Sequence, residues 1–236
     1  GKISHRGTIA LQPGKDPVLQ LEMHIDKVQL SPMLADITQE TPSVTAGQLD
    51  LAANIRGNGI TSSKIMRTLS GVASIDVNGL VIRDLNLEKL ACDAAASAQK
   101  RDPDNKPWPR DTLLHNLHAE SDIINGIAFI KPVTAKLDTV TMTGTGPVNL
   151  LAEILDLKLD ITVLDGVKSA NTCDAISPAV RDVAWPVRCE GSYRGALDDL
   201  CSVDKSRLGK LIAQLAAKNI KEGGGSLKDT LRNLFN

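Results

Sequence analysis

Aromatic residues are scarce in this chain: two Trp, one Tyr and two Phe among 236 residues. A core with so few rings has to be built from Leu, Ile, Val, Ala and Met. Two readings of that scarcity stay open here. One is an ordinary core that happens to be aliphatic, and the other is a surface that faces flexible aliphatic ligands such as acyl chains. Long apolar runs are missing as well, so no segment has the length of a membrane-spanning helix. No secretory leader is visible, and the chain opens abruptly on Gly1-Lys2-Ile3. It is read as a fragment whose upstream part, including any membrane anchor, has been removed. Charge of one sign is also lacking. A net charge of -1, from 27 basic and 28 acidic residues, argues against a nucleic-acid surface as the main purpose.

Reactive motifs are absent too. There is no G-x-S-x-G, H-E-x-x-H or P-loop, and the two Gly-x-Gly elements lack the third glycine of a dinucleotide fingerprint. Of the four histidines, His5, His24, His115 and His118, the last two are three residues apart. A strand pattern there puts them on opposite sides, and no third ligand follows at metal-site spacing. Asp198-Asp199 lies in a turn, where solvated acids are routine. Neither an enzyme, a metal site nor a cofactor is expected.

Cysteine is sparse but even in number: Cys92, Cys173, Cys189 and Cys201, none at C-x-x-C spacing. Two disulfides in an oxidising compartment are one reading, and buried free thiols are the other. Four cysteines allow three pairings, and the favoured one joins Cys189 to Cys201 across a hairpin and leaves Cys92 for Cys173.

What the chain has in abundance is alternation. Leu19, Leu21, Met23 and Ile25 alternate with polar residues, and so do Leu49, Leu51, Ala53 and Ile55. A period of two places such residues on one face of a strand. Gly57-Asn58-Gly59 stops the second run, and Ser62 or Ser63 caps a helical turn with Ile65, Met66 and Leu69 on its apolar side. Ala73, Ile75 and Val77 begin another strand, and Asn78-Gly79 predicts a tight hairpin. Ser31-Pro32 starts a short helix, and Thr38 to Val44 is a loop. Cys92 to Lys100 is Ala-rich and helical, and residues 101–110 form a proline-rich loop that Trp108 pins to the body. Alternation resumes at Thr112–Ala119. Asn125-Gly126 is a second turn, Val133 to Thr141 one alternating run, and Leu155 to Val163 another. From Lys205 to Lys221 the period becomes helical, with a mostly basic exposed side. Glu222-Gly223-Gly224-Gly225 breaks that helix. The short tail after Ser226 either lies on a membrane or groove, or packs on the sheet's own edge.

The pattern G-x-L-D-L-x-A-x-I-x-G-x-G from Gly47, the helix ending L-x-G at Gly71, and the strand N-G-x-V-x-x-x-L-x-L from Asn78 resemble the AsmA family. Arg83-Asp84-Leu85-Asn86-Leu87 stands where that family carries a G-I-D-L-like element, here without its glycine. The resemblance continues through Ile123-Ile124-Asn125-Gly126, Gly144-Thr145-Gly146, Leu155-Asp156-Leu157-Lys158-Leu159 and Trp185-Pro186-Val187-Arg188-Cys189-Glu190-Gly191. The insert Asp165–Val183 departs from it and is either a lid or a disulfide-pinned loop.

The patterns and the resemblance together predict a mainly β protein: a curved antiparallel sheet of about ten strands forming a groove or open trough, with short helices. Residues 1–204 make the β-rich domain, 205–222 an amphipathic helix, and 223–236 a Gly linker and helical tail. The resemblance implies a periplasmic module, anchored to the inner membrane of a Gram-negative bacterium, that shields phospholipid acyl chains in transit to the outer membrane. It leaves room for envelope protein partners and for a rival role as a scaffold in outer-membrane protein assembly. Leu49, Leu51, Ala53, Ile55, Ile75, Val77, Leu157, Leu159 and Ile161 are the expected groove lining.

Overall fold

A computed structural model of the chain describes residues 1–37, 44–98, 101–102, 105–164, 183–194 and 199–221. The predicted loop over 38–43, most of the 165–183 insert with Cys173, Asp198 and the tail from 222 onward lie outside the described residues. Ten strands follow one another: β1 Lys2–Ala10, β2 Val18–Gln29, β3 Val44–Asn58, β4 Ser70–Ile82, β5 Thr112–Ile124, β6 Ile127–Lys136, β7 Val140–Asn149, β8 Ile154–Val163, β9 Ala184–Ser192 and β10 Cys201–Val203. Four helices are set between and after them: α1 Leu30–Ile37, α2 Ser62–Thr68, α3 Leu87–Ala98 and α4 Lys205–Lys221.

The strands form one antiparallel meander in which each pairs with its sequence neighbours. The first and last strands do not pair with each other, so the sheet is not closed into a barrel. The alternating pattern sets the register. Leu49 stands opposite Val77, and the row continues through Leu117, Ala135, Met142 and Ile161 to Trp185. A slip of one residue in any strand would turn its apolar set out to water. Register irregularities between Ile25 and Val28, His118 and Ser121, and Ile130 and Val133 bend their strands. With the natural twist of strands, these bends curve the sheet around its apolar face.

The helices seal only part of that face. Both α1 and α2 pack on β3, whereas α3 packs on β8, β9 and β10, and α4 on β9. The path of α3 is unexpected from sequence, since it connects β4 to β5 yet lies across the far end of the sheet. Its alanines permit that approach: Ala91, Ala94 and Ala95 are fully buried there with Cys92. Asn86 caps the helix by accepting from the Lys89 amide at 2.7 Å. Thr112 Oγ1 accepts from the Leu87 amide and donates to the Leu85 carbonyl. Buried Glu88 then reaches the β6–β7 turn, where Thr139 donates to it through both backbone and hydroxyl.

Several local expectations need correction. Asn78-Gly79 is not a hairpin. Strand β4 runs straight through it, and Gly79, at φ 65°, marks a bulge against β3 that leaves both Val77 and Leu80 buried. A hairpin there would have ended β4 before its pairs with Leu113 and Thr112. Asn125-Gly126 does form the two-residue turn, with both residues at positive φ. The cap of α2 is Thr61, not Ser62 or Ser63. The run Val133–Thr141 is two strands, because Leu137, Asp138 and Thr139 turn between them. Helix α3 starts five residues before Cys92.

An apolar trough as the candidate functional site

The nine residues expected to line a groove share one face of the sheet, since their cross-strand partners form continuous apolar rows. They differ in access. Leu51, Ile55, Ile75 and Leu157 are half-buried, whereas Leu49, Ala53, Val77, Leu159 and Ile161 are buried. Leu159 and Ile161 lie in the region that α3 and α4 cover, in one packed cluster with Ala91, Trp185 and Leu208. In this conformation they are core rather than open wall. Sequence spacing could not separate them from Ile75, because both sets alternate identically.

The more accessible wall lies toward the first strands. Leu19, Leu21, Met23 and Ile25 of β2 are half-buried on the same face, and Ile3 and Ile9 of β1 are 56% and 66% exposed. Leu117 and Ala119 continue the wall on β5. The alternation of β2 was legible, but it carried no sign that this stretch, not β8, would stay open. At one rim a small second cluster of Leu69, Ile123 and Ala128, with Ile55, Met66 and Leu150 packed on it, closes the floor.

The opposite face is polar and ion-paired. His118 meets Asp76 at 2.7 Å and His115 meets Asp138 at 2.5 Å; both lie on this side rather than on opposite sides, because Leu114 and Leu117 both turn to the core, and each histidine serves its own carboxylate. No group of three metal-ligating side chains occurs among the described residues. Arg188 donates two bonds of 2.9 Å to Asp156, and this contact holds the Asp156 carboxyl below its usual range. A hydrogen bond and the charge of Asp122 raise the Lys131 ammonium above its usual value. Two shallow depressions, of about 390 and 330 Å³, have mixed linings, one around His115, Leu137 and Asp138, the other around Glu22, His24, Ala52, Val72 and Glu120.

The Cys189–Cys201 disulfide joins directly opposed residues of β9 and β10, as expected. Cys92 is also disulfide-bonded; its expected partner, Cys173, lies outside the described residues. No described helix is long and apolar enough to cross a membrane.

Searches of curated proteins and of solved structures return no match. The AsmA family model, by contrast, matches residues 3–163, from the first strand to the end of β8. That span holds the whole open part of the trough and more than half of the chain, and the chain belongs to the AsmA family.

Proposed function

We propose that this module shelters phospholipid acyl chains in its trough and so serves lipid transport between the inner and outer membranes. The carrying observation is one continuous aliphatic face, buried beneath α3 and α4 at one end, half-buried at Leu51, Ile55, Ile75, Leu117 and Ala119 of β3–β5, and most accessible on β1 and β2. Family membership is consistent with an envelope or lipid-related role. The physical logic is differential solvation. Each methylene removed from water is worth about 0.8 kcal/mol, so a wall that roughly matches the bilayer interior lets a chain slide without trapping it. Walls with few rings discriminate little between acyl chains. In this reading the protein is non-enzymatic and works in the periplasm, held at the inner membrane.

Native mass spectrometry of the purified chain tests the proposal, with co-purifying phospholipid as the expected result. Ile75→Asp should leave the far-ultraviolet circular dichroism largely unchanged and abolish photo-crosslinking to lipid. If Ile75→Asp unfolds the protein, the trough is closed core. The exposed edge strand β1 favours a second reading, a scaffold that pairs with strands of outer-membrane proteins during their assembly. That reading expects no bound lipid.

A further inference from the structure

In an up-and-down meander, the connections that follow odd-numbered strands gather along one rim. Here four of them, β1–β2, β3–β4, β5–β6 and β7–β8, each display an exposed large aliphatic side chain, in the connection itself or on the strand end beside it. These are Leu11 (79% exposed), Ile60 (78%), Ile124 (53%), and the pair Leu151 and Ile154 (38% and 46%). At strand ends the opposite rim shows Ile3 (56%) and Leu113 (43%), but none of its described connections carries such a side chain.

The four connections are also stitched together. The Gly59 amide donates to the Pro17 carbonyl, Gly126 to Leu69, and Leu150 to Gly126, at 2.9–3.1 Å. Lys64 pairs with Asp16 at 2.5 Å across the first two. The tips are therefore held in a row, six strand spacings or about 29 Å long. Among them stand Lys15, Arg56 and Arg67, which have no ion-pair partner among the described residues. The nearby acids Asp16 and Glu153 are already paired, with Lys64 and Arg194.

We propose that this rim rests on the surface of an anionic bilayer, with its aliphatic tips in the headgroup–acyl boundary and its free cations on the phosphates. Isolated tips separated by polar residues make no contiguous patch for a protein partner to cover, whereas a fluid interface admits them one by one. The inference goes beyond the trough and does not depend on it, because the tips lie outside the lining.

Co-flotation of the whole chain with phosphatidylcholine vesicles, with and without phosphatidylglycerol, tests it. Binding should require the anionic lipid and weaken with salt. Ile60→Asp and Leu151→Asp should each lower the partition coefficient roughly ten-fold. Ile60→Leu and the opposite-rim Leu113→Asp should leave it unchanged. Ile60 is 78% exposed, so its substitution spares the fold, and far-ultraviolet circular dichroism checks that Leu151→Asp and Leu113→Asp stay folded. Absence of flotation, or equal losses from Leu113→Asp and Ile60→Asp, overturns the proposal. Lipid retained in native mass spectrometry without flotation sinks this inference alone, and flotation without retained lipid sinks the trough alone.

Discussion

Two glycines show how little freedom single residues have in this sheet. Gly71 and Gly146 sit at φ 149° and 156°, and a Cβ on either would strike a backbone carbonyl of a neighbouring strand, Asn54 on β3 or Asp156 on β8. Gly71→Ala and Gly146→Ala should each cost at least ~1–3 kcal/mol, read as a lower urea midpoint. Gly79→Ala meets nothing within 4 Å and should cost only about 1 kcal/mol, the strain of φ 65°. Glu88→Ala should cost about 1–3 kcal/mol, because it leaves both Thr139 donors buried without an acceptor. The Asp156–Arg188 contact carries a pH signature. The folded carboxyl titrates below its usual value, so its contribution is full above about pH 4 and fades as pH falls through the folded value. With 40% and 35% of the two side chains exposed, solvent screens the effect and keeps it small. Asp156→Asn should therefore lower the unfolding midpoint at pH 7, and the difference should shrink as pH falls below about 4 and through the folded carboxyl's own value.

At the scale of elements, α3 decides how far the trough extends. Its alanines bring it close to β8–β10, so bulk added there has nowhere to go. Ala94→Leu should destabilise by about 1–3 kcal/mol, measured by thermal unfolding, if the helix stays seated. Full stability with new lipid crosslinks at Leu159 would show instead that α3 can leave. Strand β10 has only three residues, and the Cys189–Cys201 bridge holds it to β9. Replacing both cysteines with serine should cost about 3 kcal/mol, as expected for a loop of this length. It should also free α4 to exchange its amides sooner, since α4 follows β10 directly and packs on β9.

For the molecule as a whole, strand alternation was enough to read the architecture, because a period of two is a local property that survives without tertiary context. The β-rich class and the bond between Cys189 and Cys201 could both be read along the chain. Asn78-Gly79 was misread because the same dipeptide suits a hairpin and a bulge, and only pairing of the residues beyond it with β5 chooses between them. Likewise Leu159 and Ile75 carry the same signal in sequence, yet one is 4% exposed and the other half-buried. What separates them is α3, which crosses to strands more than 50 residues further along the chain. Its alanines announced a helix but not its destination. The sequence by itself thus determined which residues share a face, through the geometry of the strand. Only the tertiary structure decided which stretch of that face is buried beneath helices and which remains open, because covering a surface is a long-range event that no local pattern records.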